Sequence, residues 1–210
     1  MVIAVDQTSK IHWNYFIALE RELEVIARYV EFTKSNFEVY SIELARLLFA
    51  AASEAEVVAK LLCRWIEPSS RPGRFSECRK TLIQWPILVA SKAHIPRYGL
   101  SFVPLLNWKD GKGDPDWWIS YNKVKHQRDS FFPEATLQNA LNAMGALLVF
   151  TLWYYRLKLA DTRHSDLGLT DEEAASALKP QPTLMEVPLG YHDAQVLFHD
   201  HRIETGGRLR

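Results

Sequence analysis

From Ile11 to about Phe32 the apolar residues Tyr15, Phe16, Leu19, Leu23, Ile26 and Val30 recur every three or four positions, with Glu20, Arg21, Glu22, Glu24 and Arg28 between them. That spacing puts the apolar set on one side of a helix and the charges on the other, so it predicts an amphipathic helix. The polar run Thr33 to Asn36 breaks the pattern. Ser41, whose hydroxyl is suited to accept a backbone N–H, then opens a second helix, Ile42 to Ile66, that Pro68 stops. Apolar residues cover so much of this second helix that burial on more than one side is expected. Two long helices joined by a short polar connection predict an antiparallel pair.

Residues 67–115 hold six of the ten prolines and four of the nine glycines, which predicts connecting structure with one short helix around Ser76 to Gln84. Asp114 followed by Pro115 reads as an N-cap and first turn, opening a helix that carries WWISYNKVKHQR until Phe131, Phe132 and Pro133 interrupt it. Thr136 to about Leu159 is the most apolar stretch and predicts the helix at the centre of the core. Beyond Asp161 the chain turns polar: TDEEAASAL predicts a short capped helix, Pro180, Pro182 and Pro188 predict extended chain, and TGGRLR predicts a frayed end. The pattern as a whole predicts an all-α protein. It predicts a bundle of four to five main helices over residues 1–160 and an irregular tail, residues 161–210, that wraps it.

Seven Trp, eight Tyr and ten Phe among 210 residues supply the apolar surface for a sizeable core, so no metal or disulfide staple is needed. The two cysteines, Cys63 and Cys78, have neither metal-ligand spacing nor the density of a secreted framework, which predicts free thiols in a reducing compartment. The first ten residues lack a basic segment followed by a long apolar one, so no secretory signal is read there. Ala143 to Tyr155, the longest apolar run, is 13 residues, short of the roughly 20 that span a bilayer. A cytoplasmic protein with no membrane partner is the expectation.

Formal net charge is zero, but its distribution is uneven. Residues 60–128 carry 13 basic and 5 acidic side chains, net +8, while the segments on either side are each net −4. If Arg71, Arg74, Arg79, Lys80, Lys92, Arg97, Lys109, Lys112, Lys123, Lys125 and Arg128 share a face, their field favours a phosphate backbone; otherwise they are solvated singly.

Within this basic third, Asn122 and His126 lie four apart on one helix and so share a face, flanked by Trp118. Tyr121, Lys125 and Arg128 take the adjoining face. An imidazole moves a proton near neutral pH and cations hold a phosphate, so the set has the parts for metal-independent work on a phosphodiester, with no cofactor.

The order of elements resembles the HEPN superfamily of helical bacterial defence, toxin and RNA-processing proteins over roughly residues 11–160. It comprises two long amphipathic helices, a loop-rich excursion, a helix bearing YNKVKH and then a long apolar helix. The family's motif is an arginine, a polar residue and a histidine a few positions on. Asn122 matches the polar position and His126 the histidine, while Tyr121 stands where the arginine is expected. The resemblance implies an antiviral or toxin–antitoxin setting, RNA as partner, dimerisation through the motif helices or a cognate protein partner, and a metal-independent endoribonuclease. In that reading His126 is general base toward a ribose 2′-hydroxyl, Asn122 orients it, and Lys125 or Arg128 supplies the charge that the missing guanidinium does not. The opposing reading takes Tyr121 as the mark of a non-catalytic bundle that binds a protein partner or its own copy.

Glu56 and Lys60 have the spacing of a helical ion pair, and Glu54 is placed to reach Lys125 or Arg128 across the bundle. Trp85, Trp108, Trp117 and Trp118 suit base stacking, though core packing is the commoner role. His192, His199 and His201, with Asp193 and Asp200, give the tail a metal-like look without a full ligand set, and surface histidines are the plainer reading.

Overall fold

A computed structural model describes residues 9–162 and 176–188. Four long helices dominate: α1 (Ile11–Ile26), α2 (Ile42–Ile66), α6 (Asp116–His126) and α8 (Leu137–Thr162). Between α2 and α6 run the short helices α3 (Phe75–Leu82), α4 (Pro86–Ala90) and α5 (Leu106–Lys109), and α7 (Arg128–Phe131) follows α6. An antiparallel hairpin, β1 (Ala93–Ile95) with β2 (Leu100–Phe102), completes the set. The protein is a predominantly α-helical bundle.

Helix α2 lies at its centre, packed against α8. Leu44, Leu47, Leu48, Ala51, Ala55, Val58 and Leu62 are buried along one stripe, and Ala45, Ala52, Ala59 and Cys63 beside it are buried as well. Both helices bury alanines, Ala51 and Ala55 among them on α2 and Ala140, Ala143 and Ala146 on α8, small side chains of the kind that lets packed helices approach closely. Ser41 caps α2 by accepting the Leu44 N–H at 3.1 Å, and the helix ends two residues before Pro68. The Glu56–Lys60 pair forms at 2.7 Å. It also fastens the following loop, because Glu56 accepts the Phe75 N–H and Lys60 donates to the Gly73 carbonyl.

Helix α1 stops at Ile26, short of the expected Phe32. The N–H groups of Arg28 and Tyr29 turn back to carbonyls three residues earlier, which tightens the chain into a turn. That turn lets Phe32 bury fully against the Tyr98 ring, 4.9 Å away, a position a continued α1 would not reach. The start of α6 also differs from expectation: Pro115 takes the cap position, and the Asp114 carboxylate instead accepts from the Ser76 hydroxyl and the Trp108 indole.

The hairpin leaves no alternating pattern to read, since each strand has three residues. Gly99, at φ 62°, makes its turn in the left-handed region that other residues avoid. The hairpin rests on α8 at Gly145, where an added Cβ would lie 2.8 Å from Phe102 and 2.9 Å from both Ala93 and Pro104.

Phe75 lies within an aromatic cluster, its ring 4.7 Å from Trp108, 5.3 Å from Trp117 and 4.4 Å from Trp118. These tryptophans and Trp85 are buried, so they serve the core and offer no face to a base. Residues 176–188 lie along α1 and the hairpin. The buried Glu20 carboxylate accepts the N–H groups of Thr183, Leu184 and Met185 at 2.9, 3.1 and 2.8 Å, the Trp13 indole donates to the Pro180 carbonyl, and His94 and Glu186 pair as an isolated bridge. The first eight residues, most of TDEEAASAL, the TGGRLR end and the histidines and aspartates from His192 to His201 fall outside the described residues.

Candidate functional site

Helix α6 buries Trp117, Trp118, Tyr121 and Val124 and leaves Lys125 and His126 in solvent at its C-terminal end. Tyr121 is 5% exposed, its ring 5.0 Å from Trp118 and 5.8 Å from Phe49 of α2. The residue that stands in the arginine position is therefore a packing residue. Its outer face is taken by a cation: the Lys125 ammonium is 5.2 Å from the Tyr121 ring centre, and the Arg128 guanidinium is 5.0 Å from that of Phe49.

These groups border a groove of about 750 Å³. Tyr15, Ala18, Leu19 and Glu22 of α1 form one wall, and Arg46, Phe49, Ala50 and Ser53 of α2 the second. Tyr121, Lys125 and Arg128 close the third side. The lining thus has an apolar floor, three cations and one carboxylate, Glu22. Arg46 is paired with Glu43 at 2.6 Å. Lys125 and Arg128 have no carboxylate within ion-pair distance among the described residues, unlike Lys60, Arg74, Lys112 and Lys123. Burial pushes the Tyr15 phenol above its ordinary range, and the charges of Glu54 and Glu22 push it further, so it keeps its proton at the groove and can act there as a hydrogen-bond donor.

Of the four residues singled out from the sequence, the structure brings Lys125 and Arg128 together on the groove and places the other two elsewhere. The Asn122 amide donates to the Trp118 carbonyl one turn back at 2.9 Å. His126, the last residue of α6, is exposed with no hydrogen-bond partner among the described residues. Neither lines the groove.

Glu54 does not reach Lys125 or Arg128. It lies on the α1 side of α2 and accepts from His12 Nδ1, 2.5 Å away. His12 is 7% exposed, with the Tyr154 ring edge-on at 5.7 Å and Tyr155 at 6.5 Å. Burial pushes the Tyr155 phenol up to about 12, opposed by the backbone amides of His12 and Trp13, which hydrogen-bond to it. Sequence reasoning passed over His12. The available signal was its place three residues before Tyr15, on the stripe that continues through Leu19 and Glu22.

Cys63 and Cys78 are free and buried. Cys63 Sγ donates to the Cys78 carbonyl and Cys78 Sγ to the Arg74 carbonyl. The interaction between the two neighbouring thiols holds Cys63 below its ordinary range and, with burial, pushes Cys78 above it. No cluster of three His, Cys, Asp or Glu side chains suited to a metal occurs among the described residues. No protein-family model, curated protein or solved structure matches the chain.

Proposed function

We propose that the chain is an RNA-binding helical protein of the HEPN kind, from a bacterial defence or toxin–antitoxin type system, and that the α1–α2–α6 groove takes the RNA backbone. One observation carries this reading: Lys125 and Arg128 stand side by side on the groove with no carboxylate neutralising either charge. Of the other eleven cations of the basic third, Lys60, Arg74, Lys112 and Lys123 are paired with Glu56, Glu77, Asp110 and Glu134, and none of the remaining seven lines the groove. Exposed cations along a groove suit a single strand, since the charges hold phosphates in a sequence-tolerant way.

Tyr121 carries no charge to clamp a scissile phosphate, and Lys125 and Arg128 are the groups that replace the missing guanidinium. The resemblance gives the proton transfer to His126, so cleavage is a separate matter from binding. The test is binding of labelled transfer RNA and of a random RNA pool by the full chain. Lys125→Gln with Arg128→Gln weakens both at least tenfold, and His126→Ala leaves both within twofold. Equal binding by wild type and the double variant would refute the groove as the RNA site, and no binding by wild type would leave the protein-interaction reading. Cleavage of the same RNAs in EDTA, wild type beside His126→Ala, tests the role that the resemblance gives to His126.

A further inference from the structure

On α1, Tyr15, Ala18 and Glu22 share one face at three- and four-residue spacing, and all three line the groove. Two turns of helix set Tyr15 and Glu22 about 10 Å apart along the axis. Only the Ala18 methyl and the buried Leu19 lie between them, and Ala50 and Ser53 on the α2 wall are also small, so a slot opens between a ring and a carboxylate. The Tyr15 side chain is 42% exposed and has no ring or cation against it among the described residues, whereas Tyr121 and Phe49 carry Lys125 and Arg128. Glu22 is exposed and likewise has no hydrogen-bond or ion-pair partner among the described residues. A carboxylate beside two phosphate-holding cations weakens a purely electrostatic site, because it repels the same phosphates. It suits a ligand that brings N–H donors together with its phosphate. An ionised carboxylate has two acceptor oxygens and no donor. Of the four RNA bases, guanine alone sets two N–H donors side by side on its Watson–Crick edge, at N1 and at the N2 amino group; on the other three a single donor group stands beside ring acceptors.

We propose that the slot between Tyr15 and Glu22 takes a guanine base of a single-stranded RNA, its Watson–Crick edge on the Glu22 carboxylate and its face against the Tyr15 ring, while Lys125 and Arg128 hold the strand's phosphates; this deepens the RNA reading above and rests on it. N1–H and N2–H donate to the two Glu22 oxygens, a planar two-point contact like that of a guanidinium on a carboxylate. Stacking on Tyr15 accepts any base, so Glu22 makes the choice. Adenine, cytosine or uracil in the same place would set a ring acceptor against one carboxylate oxygen. The groove, about 750 Å³, is of the size that encloses one small ligand, so it admits one nucleotide at the slot.

The experiment titrates the full chain with short labelled RNAs that are uridine throughout except for guanosine, inosine, adenosine or uridine at the centre. Wild type binds the guanosine strand about tenfold or more tighter than the adenosine and uridine strands, the scale of one two-point base contact. Inosine, which keeps N1–H but lacks the N2 amino group, falls between. Glu22→Ala brings the four affinities within about twofold of one another and binds the adenosine strand no more weakly than wild type does, an outcome that a misfolded variant would not give. Tyr15→Ala weakens all four by a similar factor. Equal affinity of wild type for the four strands, or a guanosine preference that survives Glu22→Ala, would overturn the guanine slot and leave the RNA-binding reading standing. Free guanosine monophosphate binding more tightly than the guanosine strand would make the nucleotide, not the strand, the ligand and would also overturn the proposal. Failure of wild type to bind any of the four strands would remove the RNA reading with it.

Discussion

The Lys125 ammonium lies 5.2 Å from the centre of the Tyr121 ring, one helical turn away. An aromatic face holds a cation without neutralising it, whereas a carboxylate would cancel its charge toward a ligand. Arg128 makes the same arrangement with Phe49. The buried tyrosine that displaces the expected arginine thus becomes the seat for a different cation, moved one turn along α6 and out to the groove. Lys125 and Arg128 stand on the groove with no carboxylate within ion-pair distance among the described residues.

Gly145→Ala is destabilising, although Ala is the better helix former by about 1 kcal/mol. A Cβ there meets the Phe102 ring, Ala93 and Pro104 at under 3 Å, two of them on the hairpin. Overpacking of this kind costs about 1–3 kcal/mol, which a denaturant-unfolding midpoint reads directly. An unchanged or raised midpoint would mean that the hairpin yields at no cost.

Glu20→Gln loosens the C-terminal segment. The carboxylate accepts three backbone N–H groups, and an amide presents an NH₂ in place of one acceptor oxygen. Hydrogen bonds to a charged acceptor contribute about 1.5–3 kcal/mol, so a loss of that order is expected, with faster proteolysis between 176 and 188 than in the helices. Identical digestion of variant and wild type would show that the other contacts suffice.

Alkaline stability depends on Tyr155. Its phenol keeps its proton to about 12 in the folded chain, against an ordinary value of 10.0. Above pH 10 the unfolded chain releases a proton that the folded one retains, so stability falls as pH rises from about 10 to 12. Tyr155→Phe flattens that part of the pH profile. At neutral pH it lowers stability by about 1 kcal/mol, because the His12 and Trp13 amides at the start of α1 lose their partner. A Tyr155→Phe profile parallel to wild type above pH 10 would assign the alkaline fall to other groups.

The long helices were legible because each carries a sustained period and a chemical stop. Ser41 and Pro68 bracket α2 on both sides, and its Leu and Ala positions repeat through 25 residues. The end of α1 was not legible, since Val30 and Phe32 continue the apolar spacing and Phe32 is drawn away by Tyr98, 66 residues further on. The hairpin escaped notice for want of length. Lys125 and Arg128 were found through local charge, but the pairing of Glu54 with His12 spans 42 residues and depends on how α1 meets α2. Helical spacing says which residues share a face. It does not say which helix that face meets.

The groove's claim on RNA rests on two uncompensated charges, and the dependence of affinity on salt counts them. Each phosphate contact contributes about 0.7 to the slope of log affinity against log salt for a single strand, so replacing Lys125 and Arg128 by Gln flattens that slope by about 1.4. The measurement is titration of a labelled single-stranded RNA across a salt series, wild type against the double variant, with each protein's fold checked by its thermal melt. A slope reduced by that amount is the predicted result. Equal slopes in the two proteins, or no binding by wild type at low salt, would contradict the account.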